Sequence, residues 1–180
     1  MSVNTVNAAN TPLEVTVRLI APEDAAQLQA NCMPAATVEG VRAWIPEDLR
    51  AYAAGERVPL VAVVDGEVVG TATLVRRPHN LARHIAEVRG VVVAARYWRR
   101  GIARRLIEEL RARAVAMGLE ILEISCRGGT TAEAVYRRLG FVEYGRLPRA
   151  IKEPSGRVFD EVFFYLPLAP GGQGGEGADR

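Results

Sequence analysis

Arginine carries the planar cation that meets a phosphate in two parallel hydrogen bonds. The stretch RYWRRGIARRL, residues 96–106, gathers five arginines around one glycine, Gly101. From there Ile102, Ala103, Leu106, Ile107, Leu110, Ala114 and Met117 recur at spacings of three and four, with Arg104, Arg105, Glu108, Glu109, Arg111 and Arg113 on the other face. That spacing predicts an amphipathic helix ending at Gly118. A helix start leaves four N–H groups without intrahelical acceptors and holds about half a positive charge. Cations there are opposed by roughly 0.3–1 kcal/mol each, so their repetition points to a compensating anion rather than a solvated face. A diphosphate on the helix start, ringed by Arg99, Arg100, Arg104 and Arg105, is the predicted chemistry.

Other reactive residues carry less. Cys32 and Cys126 lie far apart and match neither a metal spacing nor a disulfide framework, as expected in a reducing cytoplasm. His79 and His84 alone do not make a metal site. The net charge of +2 gives no global reason to expect nucleic acid or a membrane surface as partner. The N-terminal residues have neither a basic start nor an apolar core, and no apolar run approaches the roughly 18 residues needed to span a bilayer. The expectation is a soluble cytoplasmic protein.

The elements that must position the arginine cluster are legible around it. Residues 1–13 and the glycine-rich 169–180 have little to bury and are expected to be disordered, leaving one domain over 14–168. EVTVRLI alternates as a strand, and Pro22 opens a helix. A second helix is predicted from Pro46 to Gly55, after a loop. Asp65-Gly66 joins two apolar runs as a hairpin, and HIAEVRGVVVA follows as a strand in which Gly90 marks a bulge or a close backbone approach. After the long helix come the strand LEILEISC, a short helix TTAEAVYRRLG with Thr130 or Thr131 as N-cap, and a last strand RVFDEVFFYLPL after the PSG turn. Strands in succession and then alternating with helices give an α/β or α+β chain with a mixed sheet.

Over about residues 14–168 the chain resembles the GNAT acetyltransferases, which transfer acetyl from acetyl-CoA to an amine. Their Q/R-x-x-G-x-G/A motif is matched by Trp98, Arg99, Arg100, Gly101, Ile102 and Ala103, with Trp98 in the slot of the usual Gln or Arg. Their A-x-x-x-Y-x-x-x-GF segment is matched by Ala132, Tyr136, Gly140 and Phe141. The runs AEVRGVVV, AEAVYRRLGF and YGRLPRAIKEPSGRVFDEVFFYLPL look like the tabtoxin-resistance type of that family. The resemblance implies a twisted mixed sheet of six to seven strands with helices on both faces, splayed between the fourth and fifth strands so that acetyl-CoA enters as a wedge. It implies no metal, and it leaves a homodimer open.

By the same resemblance, Val91, Val92 and Val93 present backbone groups to the pantetheine arm, while Arg99, Arg100, Gly101, Ile102, Ala103 and Arg104 hold the pyrophosphate. Tyr136 is the general acid and Glu87 the base. Gly129 stands where many members have an asparagine on the cofactor, and Ser125 where relatives often carry a second acid. Cys126, without a histidine near it in sequence, is not the expected nucleophile. The implied reaction is N-acetylation of a small amine by direct attack in a ternary complex. A peptide or protein N-acetyltransferase and a non-catalytic acyl-CoA-binding module share these motifs. Trp44, Arg149 and Lys152 are more simply read as loop packing and solvated charge than as acceptor contacts.

Overall fold

In the computed structural model, which describes residues 13–168, Asp65 and Gly66 both take positive φ, 49° and 78°. The predicted hairpin follows, β2 (Arg57–Val64) pairing with β3 (Glu67–Arg76). β1 (Thr16–Leu19) adds to one side of it and β4 (Ile85–Val93) to the other, all antiparallel. The amphipathic run becomes α3 (Ile102–Ala116), which returns the chain so that β5 (Ile121–Arg127) lies parallel to β4. α4 (Thr131–Arg138), β6 (Val142–Lys152) and β7 (Val158–Pro167) complete a seven-stranded sheet in the order β1-β2-β3-β4-β5-β7-β6. The segments expected to be disordered lie outside the described residues, apart from Leu13, which already packs against the core.

Two apolar cores cover the two faces. On one, Ile102, Leu106, Ile107 and Leu110 of α3 and Tyr136 of α4 pack on alternate residues of β2 to β5 and on Phe164 of β7. On the other, α1 (Ala25–Cys32) and α2 (Val38–Ala53) bury Leu28, Val41 and Ile45 against Val61 and Val68. Full burial of each Leu, Ile or Val side chain contributes about 1.5–3 kcal/mol. Gly70 of β3 allows α3 this close: a Cβ there would sit 3.2 Å from Ile102 and from the Val92 carbonyl.

Two expectations are corrected. The second helix starts not at Pro46 but at Val38, capped by the Thr37 hydroxyl, which accepts from the Gly40 N–H at 3.0 Å. Pro46 lies inside the helix, where it costs about 3 kcal/mol, and burial of Val41 and Ile45 against α1 and the sheet offsets that loss. The first helix begins as a 3-10 turn, Pro22–Asp24, and becomes α-helical at Ala25. β6, for which the sequence carries no clear alternation, forms across Pro148 because it is an edge strand that need not donate at every position.

Candidate active site

The site is built where β4 and β5 part. Their parallel pairing covers only Ile85 to Val88 against Ile121 to Ile124, although both strands run on, to Val93 and Arg127. β4 stays with β3 up to Val93 and β5 stays with β7 up to Arg127, so a wedge opens between them. Backbone N–H and C=O groups on its two inner edges are freed from sheet pairing.

Gly90 (φ 60°) sets the geometry of the β4 side. The β3–β4 register shifts opposite it, the bulge that the sequence leads one to expect. Before the bulge Ala86 and Val88 point into the α3 core; after it Val91 and Val93 do, and Val92 turns to the α1–α2 core. One extra residue has exchanged the faces.

The arginine loop follows directly. Arg99 has φ 63° and Gly101 φ 79°, with Arg100 between them outside that region. Alternation of handedness over successive residues turns backbone N–H groups inward as an anion-binding nest, and it opens straight into α3, whose first intrahelical bond runs from the Arg105 N–H to the Gly101 carbonyl. A left-handed arginine costs about 1–2 kcal/mol, strain of the kind that collects at functional sites. The loop is held from outside. Arg96 pairs with Glu67, and the Arg96 and Arg100 guanidinium groups lie 5.3 and 5.7 Å from the Tyr97 ring centroid. Trp98, 65% exposed, donates its indole N–H to the Val93 carbonyl at 2.7 Å. The residue in the slot of the usual Gln or Arg thus ties the loop to the end of β4.

A cavity of about 980 Å³ runs from this loop to α4. Val91, Val93, Trp98, Arg99, Gly101, Ile102, Ala103, Arg104 and Tyr136 line it, so most of the residues read from the sequence meet there. Val92, Arg100 and Gly129 do not form its wall. Tyr97, Val135, Arg138 and Leu139 do, without having been singled out. The three-and-four spacing of Ala132, Val135, Tyr136 and Leu139 was the signal for that apolar side of α4.

Tyr136 is 7% exposed, packed edge-on to Phe164 at 5.9 Å and tilted to Phe141 at 6.1 Å. Burial, and then the neighbouring Cys126, push its phenol well above the ordinary range, so it stays protonated. Burial likewise pushes the Cys126 thiol up to about 11, with the Glu133 carboxylate adding to the effect. Little thiolate exists there at neutral pH, and the thiol is a poor nucleophile. Glu133 is nearly buried and fastens the turn before α4: it accepts from the Gly129 N–H at 2.5 Å, from Arg137 at 3.0 Å and from Arg146 at 3.2 Å. Those bonds, Gly129 first, hold it below the usual carboxylate range.

Glu87 lies on the opposite face of the sheet from Tyr136, one residue before the pairing stops. Both of its bonds from Arg89, 2.6 and 2.8 Å, go to Oε2, and Oε1 has no partner among the described residues. Glu123 is its register partner on β5 and pairs with Arg77 at 2.6 Å. Burial, then Glu123 and more weakly Glu87, push the Tyr144 phenol up, which brings that ring into the same group. Ser125 donates to Glu161 of β7 at 2.8 Å, so a carboxylate reaches position 125 from the neighbouring strand. Alternation in ILEISC put Glu123 and Ser125 on one face; only the sheet order brought Glu161 beside them.

Residues 24–141, more than half of the chain, match the Acetyltransferase (GNAT) family. The chain belongs to that family. Among solved structures, a ribosomal-protein-alanine N-acetyltransferase from Brucella melitensis is 28% identical, with a TM-score of 0.74 over 85% of this chain and 99% of that one. An N-acetyltransferase from Staphylococcus aureus is 21% identical, with a TM-score of 0.77 over 87% and 99%. A GNAT-superfamily phosphinothricin acetyltransferase from Sinorhizobium meliloti, solved with acetyl-CoA, is 22% identical, with a TM-score of 0.74 over 87% and 90%. This acetyltransferase shares their fold, with seven strands in one mixed sheet and helices on both faces. Among its described residues no helix is long and apolar enough to cross a membrane, and no group of three or more His, Cys, Asp or Glu could hold a metal.

Proposed function

We propose that this acetyltransferase moves the acetyl group of acetyl-CoA to the amine of a small molecule, by direct attack in a ternary complex, in the cytoplasm. One observation carries the reading: the wedge between β4 and β5 joins a face with a nest, an apolar channel and a protonated phenol to a face with carboxylates. Bound acetyl-CoA would supply an activated acyl thioester. The residues present suit it: the 99–103 nest for pyrophosphate, the free edges of β4 and β5 for the amide groups of the arm, and Val91 and Val93 for its apolar length.

Glu87 Oε1 takes the proton of the incoming ammonium, directly or through one water, and the amine attacks as the neutral species. As the N–C bond forms and the C–S bond breaks, Tyr136 gives its phenolic proton to the departing sulfur, and the second proton, which the new amide nitrogen must shed, returns to the phenolate, so the products are the amide and the free CoA thiol. A thiol has an ordinary pKa near 8.5, and the burial that raises the phenol also disfavours a charged sulfur beside it, so the transfer is not opposed by the shift. Glu87, Glu123 and Glu161 favour a cationic acceptor. The resemblance of AEVRGVVV, AEAVYRRLGF and the C-terminal run to the tabtoxin-resistance type supports a small one. The Brucella neighbour supports a second reading, a protein N terminus as acceptor.

Purified protein is supplied with acetyl-CoA and a panel of amino acids, polyamines, amine antibiotics and alanine-terminated peptides, and free CoA thiol is followed. Turnover with a small amine is expected. Turnover with peptides alone replaces the acceptor class, and acetyl-CoA binding without thiol release on any acceptor makes the chain a binding module.

A further inference from the structure

A second groove, of about 220 Å³, continues the first along α3 and shares Arg104, Arg138 and Leu139 with it. Ile107, Phe141 and Leu166 form its apolar base, and its charged rim is Arg104, Arg111 and Arg138 with one acid, Glu108. Three cations against one carboxylate, around an apolar base, are not explained by internal pairing. Arg104 bonds Glu108 at 2.7 Å, but Arg111 makes no ion pair among the described residues, and Arg138 donates only to the Ala134 carbonyl at 3.1 Å.

Resting on the acetyl-CoA reading of the main cavity, we propose that this groove is a second phosphate subsite, one that takes the 3′-phosphate of the cosubstrate's ribose and makes the enzyme select CoA thioesters over their 3′-dephospho forms. On α3, Arg104 directly follows the nest at 99–103, and Glu108 lies about one helical turn, roughly 6 Å, beyond Arg104, which is the scale of the ribose separating a 5′-diphosphate from a 3′-phosphate. Arg104 faces both cavities and can span the two phosphate positions. Arg111 of α3 and Arg138 of α4 both line the groove and make no ion pair among the described residues, so two helices supply guanidinium groups for a dianion. The apolar base accepts the sugar and the edge of the base. Glu108 is the one group working against the phosphate, since it both repels it and occupies Arg104.

Calorimetric titration of the whole chain with acetyl-CoA and with acetyl-3′-dephospho-CoA tests the assignment without any acceptor or turnover. The wild type is expected to bind the phosphorylated form about tenfold more tightly, the scale of one charge-assisted contact. Arg111→Ala and Arg138→Ala should each shrink that ratio by raising the Kd of the phosphorylated form alone, and Glu108→Gln should enlarge it two- to fivefold. The dephospho ligand doubles as the folding control, because a variant that still binds it is intact. Equal affinities in the wild type, or arginine variants that weaken both forms alike, overturn the subsite while the acetyl-CoA reading stands. Failure of both forms to bind overturns that reading and the subsite with it.

Discussion

Glu87 and Tyr136 face opposite sides of the sheet at the point where β4 and β5 cease to pair. The sheet thus stands between the Glu87 carboxylate and the Tyr136 phenol. In the mechanism proposed above, the reacting centre is the gap between the strands, reached from one side by the amine and from the other by the thioester.

Tyr136→Phe separates chemistry from packing. The ring contacts with Phe141 and Phe164 remain, so unfolding free energy should change by less than about 1 kcal/mol. Turnover should fall by about 10²-fold or more if the phenol is the acid, with the affinity for acetyl-CoA kept. Because the phenol is pushed above its ordinary range, wild-type kcat should show no loss up to about pH 10 from this group. Unchanged turnover in the Phe variant would end the assignment.

Glu87→Gln keeps the size of the side chain and a bond to Arg89 but cannot take a proton. The expected result is a drop in kcat of about 10²-fold, with partial recovery as pH rises and more acceptor amine is neutral. If only KM rises, the carboxylate attracts the amine without acting as its base.

Gly101→Ala tests the nest. Space is not the obstacle, since a Cβ there would meet nothing within 4 Å, but φ of 79° is strained for any residue with a Cβ. Chemical denaturation should reveal a loss of about 1–2 kcal/mol, and acetyl-CoA should bind at least tenfold more weakly as the N–H groups turn away. Unaltered binding with lowered stability would mean that the loop only shapes the backbone.

Trp98→Phe leaves an aromatic ring on the cavity wall and removes the N–H that meets the Val93 carbonyl. The loss should be about 1 kcal/mol of stability, with hydrogen exchange quickening in residues 94–101. Exchange unchanged in that segment would count against the tie.

Glu133 gives a pH signature. Its folded-state pKa is depressed, so its contribution is present above the ordinary carboxylate value near 4.3 and is lost as pH falls through the lower folded value. Wild type and Glu133→Gln should therefore differ by about 1–3 kcal/mol at pH 7, and the gap should narrow in urea titrations as pH falls through the lowered folded value. A gap that stays the same throughout the acid range would show that shape, not charge, holds the turn before α4.

Much of this molecule is written locally. The spacing in α3, the Asp65-Gly66 turn, the arginines around Gly101 and the bulge at Gly90 each depend on a few neighbouring residues, and period and backbone freedom act over that same range. Thus the helix start, the positive charge gathered around it and the strands beside it could be read from the chain alone. What tertiary structure decided is which groups share a face and where strands part. Burial of Val41 and Ile45 pulled α2 back across Pro46, and the edge position of β6 let it form through Pro148. The bulge exchanged the faces of Val91 to Val93. The sheet order brought Glu161 of β7 to Ser125 of β5, and register set Glu123 beside Glu87. Pairing of this kind joins residues tens of positions apart, and its outcome is fixed by the packing of two cores against one sheet, which no local period encodes.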